Sequence, residues 1–432
     1  MTIYDEAMQM KEELVACRRD LHAHPELAWT EFRTASHVAK SLKALGYEVL
    51  MGDACMKADE MMGVPDKAEL SRAMGRAIKE GADPELVKKM EGGKTGVVGI
   101  MHFAKPGKTV GLRFDMDCLP VEENPTDAHR PTRDGFASTH PGLMHACGHD
   151  GHTAIGLGVA RLIAAHKDEM AGTVKLCFQP GEEGVMGARG MVASGIVDDV
   201  DYFLSGHIGL GNGENNSLVC MTEGFLATSK IDAFFTGKPA HAGANPQNGR
   251  NALLAAAQAS LALHTISRHS DGPSRINVGI LKAGTGRNVI PDNAVIKFET
   301  RGGSTAINEF MEGEARRMIK AAADMYGVTV KMVARGSAAS GNSSPDMGEE
   351  VYEVVKGLGV YSDIEKNHTV SGSEDCSYFM SRVQDHGGKA VYMLYGTEEA
   401  SGHHTSEFDF NEDVLPLSVY TVTELVKHFT NK

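Results

Sequence analysis

Short apolar runs alternate with helix-length stretches along much of this chain. The runs at 96–103, 109–114, 172–178 and 201–207 are rich in Val, Leu, Ile and Phe and predict strands, and the later three leave room for helices between them. Residues 4–46 predict two helices around Arg18-Arg-Asp-Leu-His-Ala-His-Pro-Glu-Leu-Ala28, with Gly46 as a C-terminal cap. The stretch 51–93 is rich in Met, Lys, Glu and Ala and is broken by Pro65 and Pro84; it predicts a largely helical insertion or a lid-like excursion. Such alternation predicts an α/β fold in which a sheet of parallel strands is covered by helices. Sites on such sheets are built at the carboxyl ends of strands.

The texture changes near residue 230. An alternating strand at 231–237, a helix at 251–267, strands at 275–281 and 294–301, a helix at 306–326 and a strand at 328–333 make a βαββαβ string, a two-layer α+β unit in itself. The small polar stretch 335–345 reads as a linker. Helices near 349–358 and 375–383, a strand at 390–395 and a closing helix at 413–429 then resume the α/β pattern. The expected organisation is one α/β domain, 1–226 with 334–432, split by an inserted α+β domain, 227–333.

Composition narrows the function classes. At 432 residues, 42% hydrophobic and 23% charged, the chain has enough apolar residues for a full core. A net charge of −14 with scattered Lys and Arg argues against nucleic acid as a partner. The most apolar long run, 252–266, is short for a membrane span and is interrupted by Gln258, Ser260 and His264. The acidic amino terminus lacks the apolar core of a secretory signal. Seven cysteines without paired spacing fit a reducing compartment, and the expected location is cytoplasmic.

The chemistry concentrates in Leu143-Met-His-Ala-Cys-Gly-His-Asp-Gly-His-Thr-Ala154, where His145, Cys147, His149, Asp150 and His152 crowd one loop-to-helix junction. Helix capping accounts for Asp150 and Thr153 but not for three histidines and a cysteine. Thiolate and imidazole together favour zinc or a similar borderline metal. Asp115 and Asp117, in Arg113-Phe-Asp-Met-Asp, point the same way on an extended segment; they either face one site or serve as turn residues. In Gln179-Pro-Gly-Glu-Glu-Gly184 adjacent carboxylates diverge, so one can bind metal while the other addresses a water as a general base. His207, His241 and the pair His403-His404 stand beside glycines at expected strand ends and turns.

These motifs, from Arg18-Arg-Asp-Leu-His through Asn411-Glu-Asp-Val-Leu-Pro416, resemble in order those of peptidase family M20, in the subfamily of amidohydrolases that includes hippurate hydrolases and plant auxin-conjugate hydrolases. Met62-Gly-Val-Pro-Asp66, Glu91-Gly-Gly, Arg130-Pro-Thr-Arg-Asp-Gly-Phe-Ala-Ser138, Val197-Asp-Asp-Val-Asp-Tyr-Phe203 and Gly402-His-His are similar to the branch that cleaves p-aminobenzoyl-glutamate, whose A-type chain is thought to work with a paralogous B-type chain. The resemblance implies a zinc-peptidase-like catalytic domain with a ferredoxin-like lid or dimerisation domain. It also implies an N-acyl amino acid substrate and a homodimer or a heterodimer with a paralogous subunit.

Carried over by position, the resemblance implies a centre of two divalent metal ions, Mn or Zn, held by Cys147, His149, Glu183, His207 and His404, with Glu182 as general base. His404 is chosen over His403 because the family's last histidine stands seven residues before the Asn-Glu of the closing helix, and His403 is left as a supporting group. Asp117 matches a carboxylate that orients a metal-bound histidine, and the role of Asp115 stays open. His241 matches a histidine that crosses a dimer interface in the family and polarises the scissile carbonyl or stabilises its oxyanion. Asn288 and Arg301 match groups that hold the substrate's free carboxylate, and Gly372 matches a turn lining the same pocket.

Overall fold

The computed structural model describes residues 1–211 and 213–432. They fall into two units, Met1–Glu223 with Asn342–Val370 and Asp375–Lys432, and Gly224–Gly341 with Ser371–Glu374. In chain order the first unit supplies β1 (Glu48–Met51), β2 (Val97–His102), β3 (Lys105–Asp115), β4 (Ala171–Gln179), β5 (Tyr202–Ile208) and β6 (Ser217–Glu223). The second supplies β7 (Ala227–Thr236), β8 (Ser274–Ala283), β9 (Asn293–Gly302) and β10 (Thr329–Ala338) before the first resumes with β11 (Asp363–Thr369) and β12 (Lys389–Gly396).

The first unit carries an eight-stranded sheet in the order β1-β2-β4-β3-β5-β12-β6-β11. Its centre, β4, β3, β5 and β12, is parallel as expected. The sheet as a whole is mixed, which corrects the parallel expectation: β2 runs antiparallel to both β1 and β4, and β6 runs antiparallel to β12. β1, β6 and β11 were not anticipated. β1 has four residues, and β11 is a polar, largely exposed edge strand, so neither shows the buried apolar signature of a central strand.

The helix His149–Ala165 lies over the parallel centre. It can do so because Gly156 presents no side chain: a Cβ there would stand 2.7 Å from Phe114 and from Phe178, while Gly158 lets the helix Val414–Thr430 approach, since a Cβ there would stand 2.7 Å from Val419. This close packing brings the turn before the helix to the carboxyl ends of β3 and β4. At the amino terminus three helices form rather than two, because a cap at Met10 separates Ile3–Gln9 from Lys11–Ala23 ahead of Phe32–Ala44.

Residues 51–93 contain the helices Lys67–Lys79 and Pro84–Lys89, but they do not stand off as a lid. Cys55, Met56, Leu70, Val87 and Met90 are buried. The Trp29 indole donates to the Met62 carbonyl at 2.8 Å, and the Lys57 N–H donates to the Gly190 carbonyl at 2.9 Å.

The second unit is the expected βαββαβ arrangement, an antiparallel sheet ordered β10-β7-β9-β8. The helices Ala252–Leu263 and Thr305–Tyr326 bury Ala255, Ala259, Met311, Ala315 and Ile319 with Ile231, Phe235, Ile296 and Phe298 of the strands. β10 runs on to Ala338, past the expected boundary at 333 and into the stretch read as a linker. Its Gly, Ser and Ala residues pair with β7 across a bulge between Ala334 and Gly336, and they carry little strand signal. Among the described residues, no helix is long and apolar enough to cross a membrane.

Candidate metal centre

The chemistry-bearing side chains of the first unit converge where the central strands end. Asp115 closes β3 and Asp117 follows it, Glu182 and Glu183 lie on the loop after β4, and His207 is near the end of β5. Cys147 precedes Gly148, whose φ of +87° turns the chain into the helix starting at His149. His404 has a φ of +64°, rare for a residue with a side chain, and its N–H donates to the Ala146 carbonyl at 2.7 Å; that bond keeps this loop beside Cys147.

Two ligand-type triads share one sulfur. The donor atoms of Cys147, His149 and His207 lie within 4.8 Å of one another, and so do those of Cys147, Glu183 and His404. Cys147 Sγ stands 3.5 Å from His207 Nε2, and His404 Nε2 stands 3.4 Å from Glu183 Oε1. His149, Glu182 and Glu183 form a third such group.

The hydrogen bonds around these groups set which atom faces inward. His149 Nδ1 is 2.9 Å from the Asp117 carbonyl and donates to it, leaving Nε2 as the inward nitrogen. That Nε2 is buried with no hydrogen-bond partner among the described residues, 3.8 Å from an Asp115 oxygen and 4.0 Å from a Glu182 oxygen. Buried polar atoms in native proteins are almost always satisfied, so an orphan among carboxylates marks a place for a cation. His207 Nδ1 donates to the Ile208 carbonyl at 2.6 Å, again turning Nε2 inward. The Asp117 carboxylate accepts the N–H groups of Glu182 and Glu183, each at 2.9 Å.

The electrostatics agree with the geometry. Burial pushes the Cys147 thiol well above its ordinary pKa, and the neighbouring Glu183, Glu182 and Asp115 carboxylates push the same way, so a thiolate here needs a cation beside it. Burial disfavours a charged His149, yet Asp115, Asp117 and Glu183 hold its pKa up to about 10: the field at this ring favours positive charge. Burial, with His152 and His403 adding to it, keeps His207 well below its usual value and therefore neutral, the form that binds metal. Burial raises Glu183 to about 7. Thiol, imidazole and carboxylate donors together suit a borderline divalent ion such as zinc or manganese.

Other members of the cluster have work elsewhere. His152 Nε2 accepts the Ile208 N–H at 2.8 Å and its Nδ1 donates to Asp115 at 2.6 Å, leaving no lone pair for a metal. Asp150 is taken up by Arg18 and His22, each at 2.8 Å. His145 is buried with neither nitrogen partnered among the described residues, and burial lowers its pKa to about 3. His403 stands 3.6 Å from Cys147 Sγ and bonds Glu399 at 3.1 Å. Asp115, whose role the sequence left open, bonds Arg113 and His152. Motif reading did not single out Arg113, Gln179 or Asp375 within their motifs, although all three are buried beside this loop system. A charged residue two positions before Asp115 in an apolar strand was the available signal.

The second unit sorts its four candidates into two pairs. His241 and Val289 form an antiparallel bridge, and the Ala242 N–H donates to the Asn288 carbonyl at 2.9 Å, so His241 and Asn288 are neighbours next to the Asn293 end of β9. His241 Nδ1 accepts the N–H groups of Gly243 and Ala244 at 3.2 and 3.0 Å, which leaves Nε2 to carry the proton of the neutral ring. Arg301 lies near the other end of β9, opposite Thr228 of β7, and is ion-paired with Glu299 at 2.9 Å. The Gly372 carbonyl accepts the N–H of Leu226, one residue before β7, and so belongs to the Arg301 end.

Comparison with known proteins identifies the family. The chain is 48% identical over 422 residues to the indole-3-acetyl-aspartic acid hydrolase of Enterobacter agglomerans, covering 98% of this chain and 97% of the relative. It is 47% identical over 413 residues to the A-type subunit of the p-aminobenzoyl-glutamate hydrolase of Escherichia coli strain K12, covering 95% and 94%. The crystal structure of an aminobenzoyl-glutamate utilization protein from Klebsiella pneumoniae superposes with a TM-score of 0.85 at 39% identity, covering 99% of this chain and 98% of that one. With residues 111–428 matching the family model as well, the chain belongs to peptidase family M20/M25/M40.

Proposed function

We propose that this metallo-amidohydrolase cleaves the amide bond of an N-acyl amino acid, with p-aminobenzoyl-glutamate as substrate and p-aminobenzoate and glutamate as products. The observation that carries the reading is Cys147 shared between two ligand-type triads, with Glu182 directly beside them. Cys147, His149 and His207 would hold one divalent ion, and Cys147, Glu183 and His404 the other. Two such ions, Mn or Zn, supply Lewis acidity toward the carbonyl and acidify a water.

Glu182 takes the proton of the attacking water and passes it to the departing amine nitrogen. Asp117 fixes the backbone on which Glu182 stands. His241, with its proton on Nε2, donates to the carbonyl oxygen as negative charge develops there. Arg301 binds the substrate's free carboxylate with its guanidinium fork, with the turn at Gly372 at the same end of the sheet, and Asn288, which stands with His241, adds an amide donor from the neighbouring subunit. His241 and Asn288 lie at the opposite end of the second unit's sheet from Arg301 and Gly372, which supports a dimer in which His241 reaches a neighbouring subunit's site. That neighbour is a second copy or a paralogous chain; the Escherichia coli relative, named as one subunit of its hydrolase, favours the latter. Seven cysteines without a disulfide support a reducing, cytoplasmic setting.

A second substrate, indole-3-acetyl-aspartate, is favoured by the 48% identical Enterobacter relative. It shares an acidic amino acid with the first and differs in its acyl group. The purified chain, loaded with Mn or Zn, is assayed alone against p-aminobenzoyl-glutamate, indole-3-acetyl-aspartate, hippurate and acetyl amino acids. Turnover of the first with the others slower supports the primary reading. No turnover of any, restored by adding a paralogous partner chain, would replace it with that of a dependent subunit.

A further inference from the structure

Arg113 is wholly buried near the end of β3, and nothing in the mechanism above uses it. Its Nη1 donates to Asp115 Oδ2 at 2.6 Å, its Nε to Gln179 Oε1 at 2.8 Å and its Nη2 to Asp375 Oδ1 at 3.2 Å. Gln179 Nε2 also donates to that Asp375 oxygen, at 2.8 Å.

Each carboxylate hands the constraint on to backbone. Asp375 Oδ2 accepts the N–H groups of Gly187 and Ala188 at 3.1 and 2.9 Å, the far limb of the loop that carries Glu182 and Glu183. Gly187 lies so close to the Pro180 carbonyl that no Cβ fits, which closes this loop on itself. On the other side, Asp115 Oδ1 accepts from His152 Nδ1, and His152 Nε2 accepts the N–H of Ile208, the residue after His207. Arg113, Asp115, His152, Gln179 and Asp375 are all 2% exposed or less.

We propose that Arg113 is a positioning residue: through Asp375 and Asp115 it fixes the separation between the Glu182–Glu183 loop and His207. Buried ion clusters of this kind contribute little to stability compared with apolar packing, because desolvation offsets their attraction. Their planar, two-sided geometry is what an apolar replacement cannot supply, and a lysine ammonium, a point charge, cannot reproduce the fork.

This inference rests on the metal-site reading of Cys147 and His207, so the test uses a readout that reports the metal site separately from turnover. The full chain and its Arg113→Lys and Asp375→Asn variants are loaded with Co2+, and the cysteine-thiolate-to-cobalt absorption and the visible cobalt bands are recorded. The kcat and KM for p-aminobenzoyl-glutamate and the thermal midpoint are measured beside them. Both variants are expected to shift the cobalt bands and lower kcat by about tenfold or more, the usual effect of losing an outer partner, with KM within about twofold. If Arg113→Lys does not fold, Asp375→Asn decides. Folded variants with wild-type cobalt spectra and wild-type kcat would overturn the proposal. A wild-type chain lacking any thiolate-to-cobalt band would overturn the metal reading and this inference with it; a wild-type band without turnover would discard only the substrate, and the spectra would still decide.

Discussion

Asp117 holds Glu182 by its backbone: Oδ1 accepts the Glu182 N–H at 2.9 Å, while Oδ2 takes the N–H of Glu183 at the same distance. One buried carboxylate thus fixes the proposed base and a proposed ligand, and its own backbone carbonyl orients His149. Replacing Asp117 with Ala leaves the buried Glu182 amide without an acceptor, at a cost of about 1–3 kcal/mol, and the partly buried Glu183 amide as well. The expected outcome is a lowered thermal midpoint together with metal affinity or activity reduced about 10- to 100-fold, read by metal analysis of the purified variant and by steady-state kinetics. A variant that binds metal and turns over like wild type would show that the loop holds itself.

Glu182 separates base chemistry from metal binding. Its side chain faces the triads, but the two triads that share Cys147 are complete without it. Glu182→Gln is therefore expected to lower kcat by about 100- to 10,000-fold, the range for a general base, while the metal content stays that of wild type. Loss of metal from a folded Glu182→Gln chain would move Glu182 from base to ligand.

The same contrast shows what a sequence can carry. Cys147 and His149 are two residues apart, so their chemistry was legible as local density. Glu183, His207 and His404 lie far along the chain: each stood out locally, beside glycines at an expected strand end or turn, but only the family resemblance joined them to Cys147 and His149 in one ligand set. Arg113 was not reached at all: its partners are 2, 66 and 262 positions away, and a buried arginine looks from sequence like a polar interruption of a strand. The central strands were legible from their apolar runs. The antiparallel edges were not, since strand direction is set by how the chain returns to the sheet, and β11, polar and partly exposed, lacks the alternation that marks a strand.

His22 makes stability depend on pH. It is buried between Asp150 at 2.8 Å and Glu123 at 2.9 Å. Burial and the neighbouring Arg18 both disfavour its charge, but the hydrogen bonds to the two carboxylates outweigh them and the folded-state pKa is raised. A raised pKa means that the charged ring stabilises the fold fully below its unfolded value of about 6.5 and loses that contribution as pH rises through the folded value. The thermal midpoint of His22→Gln is thus expected to fall furthest below wild type at about pH 6 and to approach it as the solution is made alkaline. A gap that widens with rising pH would mean the ring is neutral in the fold.

His241 and Arg301 stand toward opposite ends of β9, a strand of ten residues that at about 3.3 Å per residue spans roughly 30 Å. A single small substrate cannot touch both within one copy of this unit, so His241 is expected to serve a neighbouring subunit. His241→Ala alone should lower kcat by about 100- to 1,000-fold, the scale for losing one donor to a developing oxyanion. Glu182→Gln alone should also be inactive. Mixed and allowed to exchange subunits, the two variants should regain activity, because a heterodimer then contains one site with an intact Glu182 from one chain and an intact His241 from the other. Activity that stays at the level of the separate variants, with exchange verified by mass, would place His241 and Glu182 in the same subunit's site and require a different path for the carboxylate to reach Arg301.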